Sequence, residues 1–488
     1  MPNFHSPPEI PFFLSELRVN NQVFDLGGKF TPGSIRDQVI RAILFVDLLY
    51  AYRFLGVEKK KVCIIGAGPT GLTIATRAAQ IQHTEVWLVD RGERPLSILG
   101  DATHRLISPT LYDWPATHFQ SLAYGPSPPY REEPADVVRD RWLTYFDEYL
   151  ESLKNESIPK DVRLHWLRQT KAEIQIVSGE PPWSVNFEKK TSLQPQKWTE
   201  KFDVLVLARG FGKERGIRLT NNAVLPAYSF WEPDPYPAFN GPSLTESAHQ
   251  TPQANHCAIV VIGGGDGAIQ DTLRFITGGL NARQILQEIK SSLLTKFDEN
   301  FLNLLGEIDN MNRYLACSGF PFLSREPGEE LKLEQSVDKT ILKLVSRAWA
   351  ELSKVIRELV QSHSICMLFA SPLLGPCYAL NRFLAYVFQR YIQEFYRWDI
   401  LRPNHLVAGV ECLHEIEDIT EASNRAIKHF DQPHKVLYSR FDVREKITCQ
   451  IIVPRLGLDE ETVVCERRSA ALQQAIPYWL PDWKPEEF

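Results

Sequence analysis

None of the eight cysteines (63, 257, 317, 366, 377, 412, 449 and 465) forms a CxxC pair, and no Cys/His run has the spacing of a zinc site. That excludes a dithiol–disulfide reductase of the usual kind and gives no ground for a disulfide framework or a bound metal. Reduced thiols in a cytoplasmic protein are the simpler reading. There is no GxSxG elbow and no activated-cysteine motif, so nucleophilic catalysis has no support. Positive charge is not in excess: the net charge is −6 and the pI about 6.1, which speaks against a nucleic-acid partner or an anionic-membrane surface. Long apolar runs are missing too. The stretch VIRAILFVDLLYAYRFLG at 39–56 is interrupted by Arg41, Asp47 and Arg53, which predicts an amphipathic helix with one buried face rather than a membrane span. The opening MPNFHSPPEIPFF lacks the basic start of a secretory signal. What is left, 488 residues without low complexity or a fixed-period repeat, is enough for two or three ordinary globular domains.

The chemistry begins at KKKVCIIGAGPTGLTIATRAAQIQHTEVWLVDRGE, residues 59–93. Val62, Ile64 and Ile65 read as a buried parallel strand. Gly66 allows a tight turn, Gly68 lets the backbone approach a pyrophosphate, and Gly71 lets the following helix pack on the strand. After Pro69, a helix from about Thr70 to Gln80 points its first N–H groups and dipole at the phosphates. The second strand, EVWLVD, ends in Asp90, about 20 residues beyond the last glycine, where a carboxylate can bind a ribose diol. Strand, glycines, helix, second strand and acid all fall in register, a far stronger signal than the glycines alone.

Between 160 and 208 several short strands follow with hairpin turns, DVRLHWL, AEIQIV, WSVNFEK and FDVLVLA, ending in Ala208-Arg209-Gly210. This order, with the acid-arginine pair Asp90-Arg91, resembles the FAD domain of two-dinucleotide-binding flavoproteins. That superfamily includes the thioredoxin and glutathione reductases and the flavin monooxygenases. The resemblance covers about 62–275 by motif order and places no subfamily. It implies FAD as cofactor, with Gly210 in the second flavin marker, where the superfamily's threonine is replaced by Arg209. The superfamily's late Gly-Asp motif is not apparent.

A second glycine motif, AIVVIGGGDGAIQD at 258–271, stands where the superfamily carries its pyridine-nucleotide domain. Gly263, Gly265 and Ala268 fit GxGxxA, and Asp266 fits the GGGDSA form of thioredoxin-reductase-like proteins. Roughly 80 mostly helical residues then intervene before the next strand, HSICMLFAS, where a regular unit returns within about 30. That strand ends Ala370-Ser371-Pro372, with no acid for a ribose diol and no arginine for a 2′-phosphate. Two readings stay open: a working NADPH or NADH site, and a glycine loop kept only for strand–helix packing.

The loop GDATHRLISPTLYDWPATHF at 100–119 follows the first unit and concentrates ionisable and aromatic groups. In the resembling flavoproteins this segment runs under the flavin. Arg105 is therefore expected on a flavin phosphate or carbonyl, Trp114 beside the ring, and His104, Tyr112 and Asp113 as proton-transfer groups. Arg455, at the end of a plausible C-terminal hairpin, is expected near the cofactor. Aromatic helical spacing at 375–398 suits core packing or a subunit interface, compatible with a homo-oligomer. The expected architecture is α/β: an N-terminal extension and helix (1–61), a Rossmann-like FAD domain with a β-meander (62–215), a second Rossmann-like domain (256–410) with a helical insertion about 280–360, and a C-terminal return to the FAD domain with a tail (411–488). The expected activity is FAD-dependent oxidation or oxygenation of a small organic substrate, reduced by NAD(P)H. Open alternatives are an oxidase or dehydrogenase taking hydride from an amine or alcohol, and a non-catalytic dinucleotide sensor.

Overall fold

Two parallel sheets organise the chain, each built around one of the glycine motifs. The computed structural model describes residues 12–27, 34–100, 102–108, 111, 114–115, 132–153, 163–175, 181–191, 194–210, 216–218, 224–225, 227, 229–231, 257–293, 299–316, 329–362, 364–374, 377–412, 434–440, 443–449 and 451–456.

The first sheet contains β1 (Arg18–Asn20), β2 (Val23–Asp25), β3 (Lys60–Ile65), β4 (Thr84–Val89), β5 (Arg163–Leu167) and β9 (Val204–Leu207), in the order β1-β2-β9-β3-β4-β5. Only β1 runs antiparallel to its neighbour. Between β5 and β9 the chain forms an antiparallel meander of β6 (Thr170–Gln175), β7 (Trp183–Lys189) and β8 (Gln196–Phe202). Side chains alternate across β3, so its two faces feed two cores. Val62 and Ile64 pack with helices α1 (Ile35–Ala51), α2 (Pro69–Ala78) and α3 (Ala135–Ser152). Cys63 joins Trp183, Phe187 and Phe202 of the meander on the other face.

The second sheet has the order β12-β11-β10-β16, all parallel, from β10 (Ile259–Ile262), β11 (Ile365–Leu368), β12 (Leu401–Arg402) and β16 (Ile451–Pro454). Helix α4 (Asp266–Ile276) follows β10, and the insertion of α5 (Ala282–Leu293), α6 (Glu299–Ala316), α7 (Glu329–Arg347) and α8 (Trp349–Leu359) precedes β11. Helix α9 (Ala379–Tyr396) connects β11 to β12, completing a doubly wound unit around the insertion. A hairpin of β14 (His434–Arg440) and β15 (Val443–Cys449), as expected at the C-terminal side, pairs further with β13 (Leu406–Cys412).

The α/β class and both Rossmann-like units follow the expectation, but two boundaries differ. Residues 18–25 are not an extension: β2 is a parallel strand of the first sheet, beside β9. The described part of the expected C-terminal return joins the other unit, because Ile451–Pro454 pairs with β10 and Val436, Ile447 and Cys449 lie in the second core. With β2 already on the outer side of β9, the IIVP strand finds its two-faced burial beside β10 instead. Among the described residues no helix is long and apolar enough to cross a membrane.

Candidate functional site

The first glycine loop lies where β3 ends and α2 begins, at the carboxyl edge of the first sheet. Its three glycines meet different constraints. Gly66 sits at φ +109°, and a Cβ there would come within 2.2 Å of the Ala208 carbonyl oxygen just past β9. A Cβ on Gly71 would lie 1.8 Å from the Gly66 oxygen. Both are required by packing. Around Gly68 nothing lies within 4 Å of where a Cβ would be, and the same holds for Gly210, at φ +76°. Gly68 is the N-cap of α2 and supplies no capping side chain; Pro69 follows at the first helical position with Thr70 behind it. A helix start opening on free space without its own acceptor is built for an anion from outside.

Asp90 ends β4 and ties this loop together. Its Oδ2 accepts from Ala67 N at 2.8 Å and its Oδ1 from Gly92 N at 2.6 Å. Each oxygen keeps lone-pair capacity for a hydroxyl, since a carboxylate accepts about four hydrogen bonds in all. Arg91 is exposed, and His104 is half-buried. Tyr112 and Asp113 lie outside the described residues.

The second loop repeats part of this construction. Gly263 has φ +138°, and a Cβ there would come within 2.0 Å of the Arg455 oxygen on the chain leaving β16. Gly265 is the N-cap of α4, again without a side-chain cap, and Ala268 is buried in the helix. Asp266 differs from anything in the first loop. Its Oδ1 accepts from Tyr378 N at 2.9 Å and from Asn381 Nδ2 at 2.7 Å, so the carboxylate is turned onto the start of α9. Desolvation pushes this carboxyl up to about 7, against the lowering pull of those two hydrogen bonds.

The two arginines expected at the cofactor are brought together at Asp271 of α4, with Arg455 packed against the second glycine loop. Arg105 Nη1 and Arg455 Nε both donate to the buried Asp271 on α4, each at 2.7 Å, and Arg274 adds a third contact at 3.2 Å. Phe230 lies against them, its ring 3.8 Å from the Arg105 guanidinium and its carbonyl accepting from Arg105 Nε. Burial alone would raise the Asp271 carboxyl; the three guanidiniums reverse that and hold it well below the usual carboxylate range. Both arginines hold this carboxylate: Arg105 reaches it from the first unit, and Arg455 from the chain leaving β16 in the second unit itself. Trp114, expected beside a flavin ring, stacks on Phe383 of α9 at 4.9 Å. Asp271 itself carried no sequence signal, since its partners lie 166 and 184 residues away.

No family model matches the chain, and no curated protein matches it either. Solved structures resemble it at low similarity. Thioredoxin reductase from Lactococcus lactis matches at 12% identity and TM-score 0.32, over 82% of this chain and 78% of its own. The ornithine N-hydroxylase of Kutzneria sp. 744, a structure with reduced FAD, NADP+ and L-ornithine, matches at 11% and 0.36, over 82% and 81%. The FAD-bound cadaverine monooxygenase of Erwinia amylovora matches at 12% and 0.33, over 85% and 80%. At that level of similarity the neighbours lend the chain neither substrate nor cofactor.

Proposed function

We propose that the chain is an FAD-dependent oxidoreductase, reduced by NAD(P)H and acting on a small organic substrate in the manner of a monooxygenase. The observation that carries this is Gly68: the one motif glycine of the first loop that packing leaves unexplained, at an uncapped helix start, with open space beside it. A dinucleotide pyrophosphate fits that chemistry. Gly68 lets the backbone approach it, the first N–H groups of α2 hold its charge, Asp90 accepts from a ribose, and Gly210 leaves room on the β9 side. When bound, FAD supplies the hydride and electron transfer. The chain's part is to bind and orient the cofactor and to exclude water from it.

For the nicotinamide the second loop offers Gly265 and the uncapped start of α4. A second reading keeps FAD and takes hydride directly from an amine or alcohol. It is favoured by the missing ribose reader after β11 and by Asp266, an acid at the first position of the helix that would receive the phosphates.

Anaerobic titration of the flavin-loaded protein with NADH and then NADPH separates these. Loss of the oxidised-flavin band supports the first reading and identifies the nucleotide. A stoichiometric flavin indifferent to both supports the second. A chain that takes up no FAD overturns both.

A further inference from the structure

Residues 18–27 and 34–51 precede the first glycine motif and carry no motif of their own, yet they border its loop. β2 lies parallel beside β9, and β9 beside β3, so the carboxyl ends of all three strands face the same side. Leu26 N donates to the Leu207 oxygen at 2.9 Å, which extends the pairing past the end of β2. Asp25, buried, accepts from Gly27 N at 2.7 Å and turns the chain there. A Cβ on Gly27 would lie 3.4 Å from the Gly210 oxygen, so this turn abuts the end of β9.

Helix α1 then starts at the same edge, with its first turn against that of α2. Thr70 Oγ1 donates to Gln38 Oε1 at 3.3 Å. Unlike α2, α1 closes its own start. Ser34 Oγ accepts from Asp37 N at 3.1 Å as N-cap and donates to the Asp37 carboxylate at 2.7 Å. What α1 offers the loop is therefore a side chain, not its dipole. Its position is fixed at both ends: Tyr378 of the second unit donates its hydroxyl to Asp37, and Asp47 pairs with Arg77 of α2.

We propose that the β2–α1 unit is the third wall of the dinucleotide cradle, with Gln38 placed at the pyrophosphate end beside Thr70. This rests on the reading that the first loop holds a dinucleotide. The pyrophosphate is anionic, and a neutral amide at its edge is tolerated or can donate to it. A carboxylate in the same place repels it, and that repulsion is screened by salt.

The test is FAD binding by the full apo-chain as wild type, Gln38→Glu and Gln38→Ala, at low salt and at about 0.5 M salt, where the Debye length falls below about 5 Å. Gln38→Glu is expected to weaken FAD binding about tenfold or more at low salt, with a smaller gap at high salt. Gln38→Ala is expected to lose less than Gln38→Glu, and the melting temperature of both apo-variants to stay near that of wild type. Wild-type affinity in Gln38→Glu overturns the proposal. A loss that ignores salt and comes with a lowered apo melting temperature overturns it too, since that is what a purely structural glutamine predicts. A wild-type chain that takes up no FAD instead removes the reading beneath it.

Discussion

The motif gives Gly66, Gly68 and Gly71 different duties by their places in it, and the space around each differs accordingly. Gly71→Ala drives a Cβ into the Gly66 oxygen 1.8 Å away and is expected to destabilise the chain by about 2–3 kcal/mol in urea unfolding, with or without flavin. Gly68→Val has room to fold and is expected to keep the wild-type urea midpoint in the apo form while losing most FAD binding, read by flavin content after dialysis. A Gly68→Val protein that retains stoichiometric FAD would leave that glycine without a ligand role. Asp266 gives a second prediction at this scale. Its carboxyl is raised to about 7 in the folded chain from 3.8, so between about pH 4 and 7 the folded state holds a proton that the unfolded state has released. Stability from this group therefore falls as pH rises through that window. Asp266→Asn keeps an oxygen for Tyr378 N and Asn381 and carries no charge. It is expected to exceed wild type at pH 8 by about 1–2 kcal/mol, allowing for the group's partial exposure, with the gap narrowing at pH 5 and closing near about pH 4. Equal urea midpoints at both pH values would show that Asp266 ionises without cost.

At the level of elements, what was legible was what is local. The β3–α2–β4 unit and the β10–α4 unit were readable because strand period, glycine turn and helix period follow one another within about 30 residues. AEIQIV and WSVNFEK of the meander and the helical insertion were readable for the same reason; QKWTEKF was missed, and DVRLHWL proves to be a parallel strand beside β4. The pairing of distant strands was not. β2 is three residues long and has no pattern that distinguishes it from a loop; its place is set by β9, some 180 residues on. IIVP at 451–454 reads as a buried strand, but nothing in those four letters says which sheet it completes. Nor did Arg105 and Arg455 announce that a single acid on α4 would gather them. Asp271→Ala is accordingly a test of the second unit's first helix. It leaves Arg105, Arg455 and Arg274 buried without their shared carboxylate, a change expected to cost about 3–5 kcal/mol in urea unfolding at neutral pH. Asp271→Asn keeps the shape and an acceptor and is expected to fall between that variant and wild type. A loss below about 1 kcal/mol in Asp271→Ala would mean that the surroundings relax to hydrate the three guanidiniums.

Among the described residues the two Rossmann units are tied at several places, and three of these ties are polar. One is the Asp271 cluster. Another is Arg283 at the start of the insertion, which grips Glu132 with two hydrogen bonds of 2.6 Å. The third is the Tyr378 hydroxyl on Asp37, which joins the start of α9 to the start of α1. Tyr378 also gives its backbone N–H to Asp266, so one residue touches the first turns of α1 and α4, one beside each glycine loop. Ties of this kind make separate unfolding of the units unfavourable, because either unit leaving alone breaks the bonds and strands the other's half of the buried Arg105–Asp271 pair. The wild-type chain is therefore expected to show a single calorimetric transition, with calorimetric and van't Hoff enthalpies close to equal. Tyr378→Phe combined with Arg283→Ala removes two ties and leaves the Asp271 cluster. Each lost bond is worth about 1–3 kcal/mol, and the transition is expected to broaden or split, with the calorimetric enthalpy exceeding the van't Hoff value. If the double variant instead melts as sharply as wild type, the cluster of Arg105, Arg455 and Asp271 is sufficient to couple the units. The remaining contacts then act locally, setting where α1 sits rather than whether the two halves unfold together.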